Sequence, residues 1–465
     1  MSNSDPGNNV QVSQKRSAVG MAKFLIFSLI GVGAFMLPII PTGDGSRNIA
    51  LGWLIDVIRD AFATVSFGQY AQGDFSIAYM LALIFITISF VGTVLAWIIR
   101  PKFITENETL SGAFLSSPVY FISKAIGFVF VWMIFLNIGP EQVINAFTGD
   151  IMIGLTASLV VIFLVLVPFM PLVTDFGLME FIGILIKRVV RVLFTLPGRA
   201  SVDLMASWFG SSAVSIIITR NQHEKGFYTG REAAVIAVNF SFVSLPFTFV
   251  VASFLDLGHR FLLFYLIMCI TCVILGFILP RIWPLRGIPD TYVEGVGKQI
   301  IEDVPASMAL TVASQRAEKS SFGDVIKAAG RTYVSIFMDL IPVILAWGTL
   351  AIMVAELTPV FDWVSWPMGQ YLRLLGVEGA MDVAPLTLIG FVDMFLPALM
   401  MGEVPEITKF IIGILSIVQI IYLVETGVLI IKSKIPLGIG KLFILFMMRT
   451  ILALPIIVLL ARLLF

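Results

Sequence analysis

Apolar residues gather into about nine runs, each long enough for a helix to cross a hydrocarbon core roughly 30 Å thick. These runs are residues 21–41, 76–99, 119–139, 151–173, 231–255, 261–283, 331–355, 409–431 and 442–464. Backbone groups inside a bilayer find no water to bond, so each run is expected to be helical. Other patterns separate them. In 176–196, Lys187, Arg188 and Arg191 interrupt the apolar positions, which predicts an amphipathic helix on a membrane surface; 361–375 reads the same way. Residues 42–75 mix Asp44, Arg47, Asp56, Arg59, Asp60 and Asp74 with apolar side chains and suit an interfacial segment. The polar start, 1–20, is expected to be disordered and cytoplasmic. No A-x-A cleavage pattern follows the first apolar run, so that run is expected to remain as a span.

Two stretches break the pattern. Between Leu196 and Pro246 the chain carries Leu-Pro-Gly-Arg, Asp203, a serine-rich turn from Trp208 to Ser215, a basic loop, and Asn239-Phe-Ser inside an apolar run. Ser201 to Thr219 could form one straight helix, but Arg199 would then lie on the opposite side from Arg220, His223, Lys225 and Arg231. A re-entrant hairpin keeps all of them on the cytoplasmic side, as the positive-inside rule prefers. The second stretch, 380–401, contains Pro385 and Pro397 and has acidic flanks, Glu378, Asp382, Glu403 and Glu406, so its hairpin is expected to enter from outside. Asp203 and Asp382, like Thr229 and Thr408, lie 179 positions apart.

The expected organisation follows from these placements. It comprises N-terminal transmembrane helices at 21–150, a first repeat at 151–283, a hydrophilic cytoplasmic linker at 284–322 and a second, inverted repeat at 323–465. The fold class is an all-α polytopic membrane protein with about nine transmembrane helices and two re-entrant hairpins, N-terminus cytoplasmic and C-terminus external.

Composition narrows the function. The 465 residues are 58% hydrophobic and 13% charged, with mean hydropathy +0.99, which leaves little material for a soluble catalytic domain. Thirty basic residues balance thirty acidic ones, and nothing points to nucleic acid. Cys269 and Cys272 share a helix face, but no second pair or histidine stands near enough in sequence to complete a tetrahedral metal site. They read as packing residues, and neither enzymatic activity nor a cofactor is expected.

The runs Leu196-Pro-Gly-Arg-Ala-Ser-Val-Asp203, Ser207-Trp-Phe-Gly-Ser-Ser212 and Tyr228-Thr-Gly-Arg-Glu-Ala-Ala-Val-Ile-Ala-Val-Asn239-Phe-Ser resemble the nucleoside-recognition (Gate) domain of YjiH-like bacterial inner-membrane proteins. From Ile151 onward the layout is also similar, more loosely, to concentrative nucleoside transporters, in which two hairpins and two broken helices form the site. One difference lies at the first hairpin tip, where those transporters carry a Gln-Thr-Glu type sequence and this chain has Trp208-Phe-Gly-Ser-Ser212. The resemblance implies a multi-pass protein of the bacterial cytoplasmic (inner) membrane.

Residue chemistry names the candidates. Ser207, Ser211, Ser212 and Ser215 beside a glycine turn offer hydroxyls and backbone amides to a polar group, and Trp208 offers a ring face. Asn239, Ser241 and Ser244 precede Pro246, where a broken helix would free carbonyls. Thr387, Gln419 and Thr426 hold comparable places in the second half. The substrate-binding set is therefore Ser207, Trp208, Ser211, Ser212, Asn239, Ser241, Thr387 and Gln419. Asp339 and Asp393, carboxylates in apolar runs, are the ion-coupling candidates. The alternatives are plain. Small residues and hydroxyls also serve as interhelical packing and glue, Trp208 as a core or interface anchor, and Asp339 as a partner of Arg331 or Lys327. Arg231 and Glu232 read as a local charge pair.

The expected function is secondary transport of a small polar solute, nucleoside-like or otherwise, coupled to Na+ or H+. A gated channel and a non-transporting assembly partner are the other readings. The expected partners are the lipid bilayer, the solute and the coupling ion, and a homo-oligomer is compatible with all of them.

Overall fold

A computed structural model describes residues 17–37, 40–41, 47–70, 73–115, 117–209, 212–293, 296–298, 305–433 and 435–465. The expected disordered start lies outside the described residues up to residue 16. Among the described residues, seven helices are long and apolar enough to cross a membrane: Ala18–Met36, Ile77–Ile98, Pro118–Leu136, Thr148–Leu166, Gly258–Arg281, Phe322–Val354 and Ile439–Leu464. The chain is an all-α polytopic membrane protein. The two remaining apolar runs are the interrupted ones. Gly230–Asn239 is followed by five unwound or bent residues and then Leu245–Phe254, and Glu406–Val418 by an unwound stretch, a π turn at Leu423–Gly427 and Val428–Lys432. A ten-residue half is only about 15 Å long, so neither half of the first broken helix crosses alone.

The two breaks have different causes. Pro246 sits in the first turn of Leu245–Phe254, where its missing N–H costs nothing, but it bars helix from continuing through the preceding turn. The second break contains no proline. Ile420 there has φ +61°, a left-handed conformation that a β-branched side chain adopts only when its surroundings impose it. Tyr422 helps to impose it: its N–H donates to Thr426 Oγ1 at 2.9 Å, and its hydroxyl lies 2.9 and 2.8 Å from the carbonyls of Ser416 and Ile417.

Each broken helix follows a hairpin. The first hairpin consists of Ala200–Phe209 and Ser212–Glu224, packed against each other, rather than one straight span over 201–219. The second consists of Ala380–Ile389 and the single turn Leu396–Leu399.

The helix Phe261–Ile278 relates the starts of the two broken helices. Beyond its C-terminal end, Pro280 O accepts from Arg231 Nη2 at 3.2 Å, at the start of the first broken helix. Beside its N-terminal end, Arg260 Nε lies 3.1 Å from Glu406 Oε1, at the start of the second. Eighteen helical residues span about 27 Å, so the two broken helices begin at opposite ends of this helix.

Several local expectations are refined. The amphipathic segments are helices Leu178–Phe194 and Val360–Leu374. The interfacial segment contains helix Ala50–Ala63 and a short antiparallel ribbon, Ser66–Tyr70 with Gly73–Ser76. The stretch 284–322 is more than a linker. Its helix Ala309–Lys319 packs on Ala18–Met36 and Leu178–Phe194, and any side chain at Gly20 would meet the backbone of Ser314. Arg231 and Glu232 do not pair as a local couple. Glu232 closes a capping box with Thr229, while Arg231 reaches Pro280.

Opposed hairpins make a labelling prediction. In a chain with Cys269 and Cys272 replaced by alanine, Lys225→Cys is expected to react only after permeabilisation, and Asp382→Cys from outside in intact cells; both positions are exposed. Reaction of both from the same side would contradict the inversion.

Candidate functional site

The two breaks meet around one side chain. Arg449, in the middle of Ile439–Leu464, is fully buried. Its Nε and Nη2 donate to Val418 O at 3.0 and 2.8 Å, at the end of the second broken helix's first half. Its Nη1 donates to Val238 O at 3.2 Å and to Asn239 Oδ1 at 2.8 Å, at the corresponding point of the first. Both half-helix C-termini carry partial negative charge, and a guanidinium is well suited to capping them.

Each hairpin is tied to the break that follows it. Ser207 Oγ donates to Phe242 O at 3.0 Å, and the Trp208 ring lies 4.8 Å from that of Phe242. In the second unit, Leu423 N donates to Phe391 O at 2.7 Å. Gln419 Nε2 donates to Thr387 O at 2.8 Å and Thr450 Oγ1 at 2.9 Å. Since Thr387 O can only accept, the orientation of the Gln419 amide is fixed: Nε2 faces it and Oε1 points toward Gly390. In the same way, Arg449 takes Asn239 Oδ1 and leaves Nδ2 directed elsewhere.

Several polar atoms here are buried without a hydrogen-bond partner: Ser215 Oγ, Thr219 Oγ1, Asn239 Nδ2, Ser241 Oγ, Ser244 Oγ and Gln419 Oε1. Ser215 and Thr219 lie four residues apart on one face of Ser212–Glu224, the hairpin helix that packs against the π turn of the second broken helix. Ser244 holds the N-cap position of Leu245–Phe254 yet makes no side-chain cap.

The sequence candidates divide accordingly. Ser207, Trp208, Asn239, Ser241, Thr387 and Gln419 belong to the breaks and the hairpin residues tied to them. Ser212 is buried at the start of its hairpin helix, and Ser211 lies outside the described residues. Asp393, at the turn of the second hairpin, is buried and accepts from Phe395 N at 2.8 Å. Asp339 lies apart. It sits on a π-helical turn, Ile336–Leu340, and pairs not with Arg331 or Lys327 but with Lys124 at 2.6 Å. Lys124 is fully buried and also donates to Ala113 O at 2.6 Å.

Arg449 and Lys124 are the residues that sequence reasoning passed over or underweighted. The available signal was a single cation inside an apolar run, by default a functional position.

A cleft away from the breaks is lined by Asn48, Asp56, Arg59, Ser253, Asp256 and His259, and burial raises the Asp56 carboxyl above its ordinary pKa.

Comparison with known proteins identifies the lineage. A family model described as nucleoside recognition (Gate) matches residues 122–258, which include the first hairpin and the first broken helix. An uncharacterized protein of Alkalihalophilus pseudofirmus is 40% identical over 452 residues, 95% of this chain and 94% of that one. The chain belongs to the YjiH-like Gate family. No solved structure matches it. As a Gate protein it is multi-pass and transporter-like. Gln419 and Arg449 lie outside the matched Gate segment, so part of the polar layer comes from the second unit.

The packing of Gln419 makes a stability prediction. A Cβ at Gly390 would fall on Gln419 Oε1, whereas one at Gly402 meets nothing within 4 Å. Gly390→Ala is expected to destabilise the purified protein by about 1–3 kcal/mol and Gly402→Ala hardly at all, read by thermal unfolding. Equal melting temperatures for the two variants would show that the amide is not held where the structure places it.

Proposed function

We propose that this protein is a secondary transporter that carries a small polar solute across the bacterial cytoplasmic membrane, N-terminus inside, driven by a Na+ or H+ gradient. The observation that carries this reading is the set of unpartnered polar atoms at two oppositely directed helix breaks. Each buried group left without a hydrogen bond costs about 1–3 kcal/mol, so a cluster of them is costly to a protein that needs them only for packing. A solute carrying hydroxyl, amide or carbonyl groups would satisfy Asn239, Ser241, Ser244 and Gln419 together. Nucleoside-like solutes fit that chemistry, and the family description points the same way.

Asp393 is the better placed of the two coupling candidates, since it lies in the hairpin whose Phe391 carbonyl holds the second break. Asp339 already has the Lys124 ammonium as its counter-charge.

Uptake into proteoliposomes tests the proposal, with nucleosides, dipeptides and small organic acids in the first panel. At least one solute is expected to enter saturably and only with an ion gradient. Ser241→Ala should raise its apparent KM about two- to twelve-fold, the equivalent of one hydrogen bond worth about 0.5–1.5 kcal/mol. Asp393→Asn should abolish concentrative uptake while sparing exchange at equal ion concentrations. Unsaturable, gradient-independent flux would favour a channel, and unchanged accumulation in both Asp393→Asn and Asp339→Asn would exclude these carboxylates from coupling.

A further inference from the structure

We propose that Arg449 mechanically couples the two breaks: its one guanidinium is the shared C-terminal cap of both broken helices, so that loosening either break loosens the other. The inference goes beyond transport and does not depend on it.

Three observations support it. First, the four hydrogen bonds of Arg449 use four of the five N–H groups a guanidinium has, and they divide evenly, two to Val418 O and two to Val238 O and Asn239 Oδ1. A cation reserved for an anionic solute would keep its N–H groups free. Second, among the described residues no carboxylate pairs with Arg449, although the side chain is fully buried. Its charge is opposed instead by two half-helix ends, each worth roughly half a negative charge. Removing either end leaves the cation undercompensated, which raises the cost of holding the other arrangement. Third, the next residue, Thr450, holds the Gln419 amide through its hydroxyl, so consecutive positions of one helix hold the consecutive residues Val418 and Gln419 where the second break begins. Arg449 is thus a positioning residue.

Hydrogen exchange on the purified full-length protein tests the coupling, reading peptides that contain residues 240–244 and 419–422. The decisive variant is Asn239→Leu, which withdraws one acceptor at the first break only. Exchange is expected to rise several-fold at 419–422 as well as at 240–244, with the helix Ile77–Ile98 unchanged. Thr450→Val, which loosens the second break from the Gln419 side, should accelerate 419–422 and, through Arg449, 240–244 as well; a rise confined to 419–422 would count against the coupling. Arg449→Lys keeps a charge but not the planar fork, and should raise exchange at both segments together. A change confined to 240–244 in Asn239→Leu, or to one segment in Arg449→Lys, would overturn the proposal. Because no solute enters the measurement, its result is independent of whether transport is found.

Discussion

Hydrocarbon offers no hydrogen bonds, and each backbone group left bare in it costs several kcal/mol. A helix that stops in mid-membrane must therefore find partners for its last carbonyls within the protein. Arg449 supplies them twice, at Val238 and at Val418, while Tyr422 reaches back to Ser416 and Ile417. With the ends satisfied in this way, the chain can afford two interrupted crossings, and the interruptions place Asn239, Ser241, Ser244 and Gln419 where a straight helix would have turned its backbone inward. The hairpins then close on the breaks through Ser207 and Thr387.

Charge inside the protein is handled in two ways. Lys124 and Asp339 neutralise each other directly, the lysine also bonding a helix-end carbonyl at Ala113, in a cluster formed by the N-terminal spans and the π turn. Arg449 has no such partner among the described residues and relies on peptide dipoles. Breaking the first arrangement exposes a full opposite charge. The second depends on the helix ends staying in place, so it senses backbone geometry.

Much of the plan was legible in the sequence, because periodicity and charge bias register the bilayer directly. The long apolar runs located the spans, the polar and proline-bearing stretches at 196–231 and 378–406 marked the two hairpins, and Pro246 marked the first break. The second break was harder to see. It has no proline, and Ile420 takes its left-handed conformation under tertiary constraint, which leaves no local signature. The pairing of Asp339 with Lys124 was hidden for a similar reason, since 215 positions separate partners that only the fold brings together. Helix Ala309–Lys319 was taken for linker because its buried face is built of Ala309, Thr311, Ala313, Ser314 and Ala317, small residues that carry little hydropathy.

The central claim is that the breaks form one solute site reached alternately from the two sides of the membrane. Ser241→Cys, in a chain without Cys269 and Cys272, tests it most directly when probed with membrane-impermeant thiol reagents from each side. Labelling is expected from inside and from outside, with a shift toward one side when the ion gradient is reversed and protection by any transported solute. Labelling from neither side under every gradient would contradict the account and leave these polar groups as packing contacts.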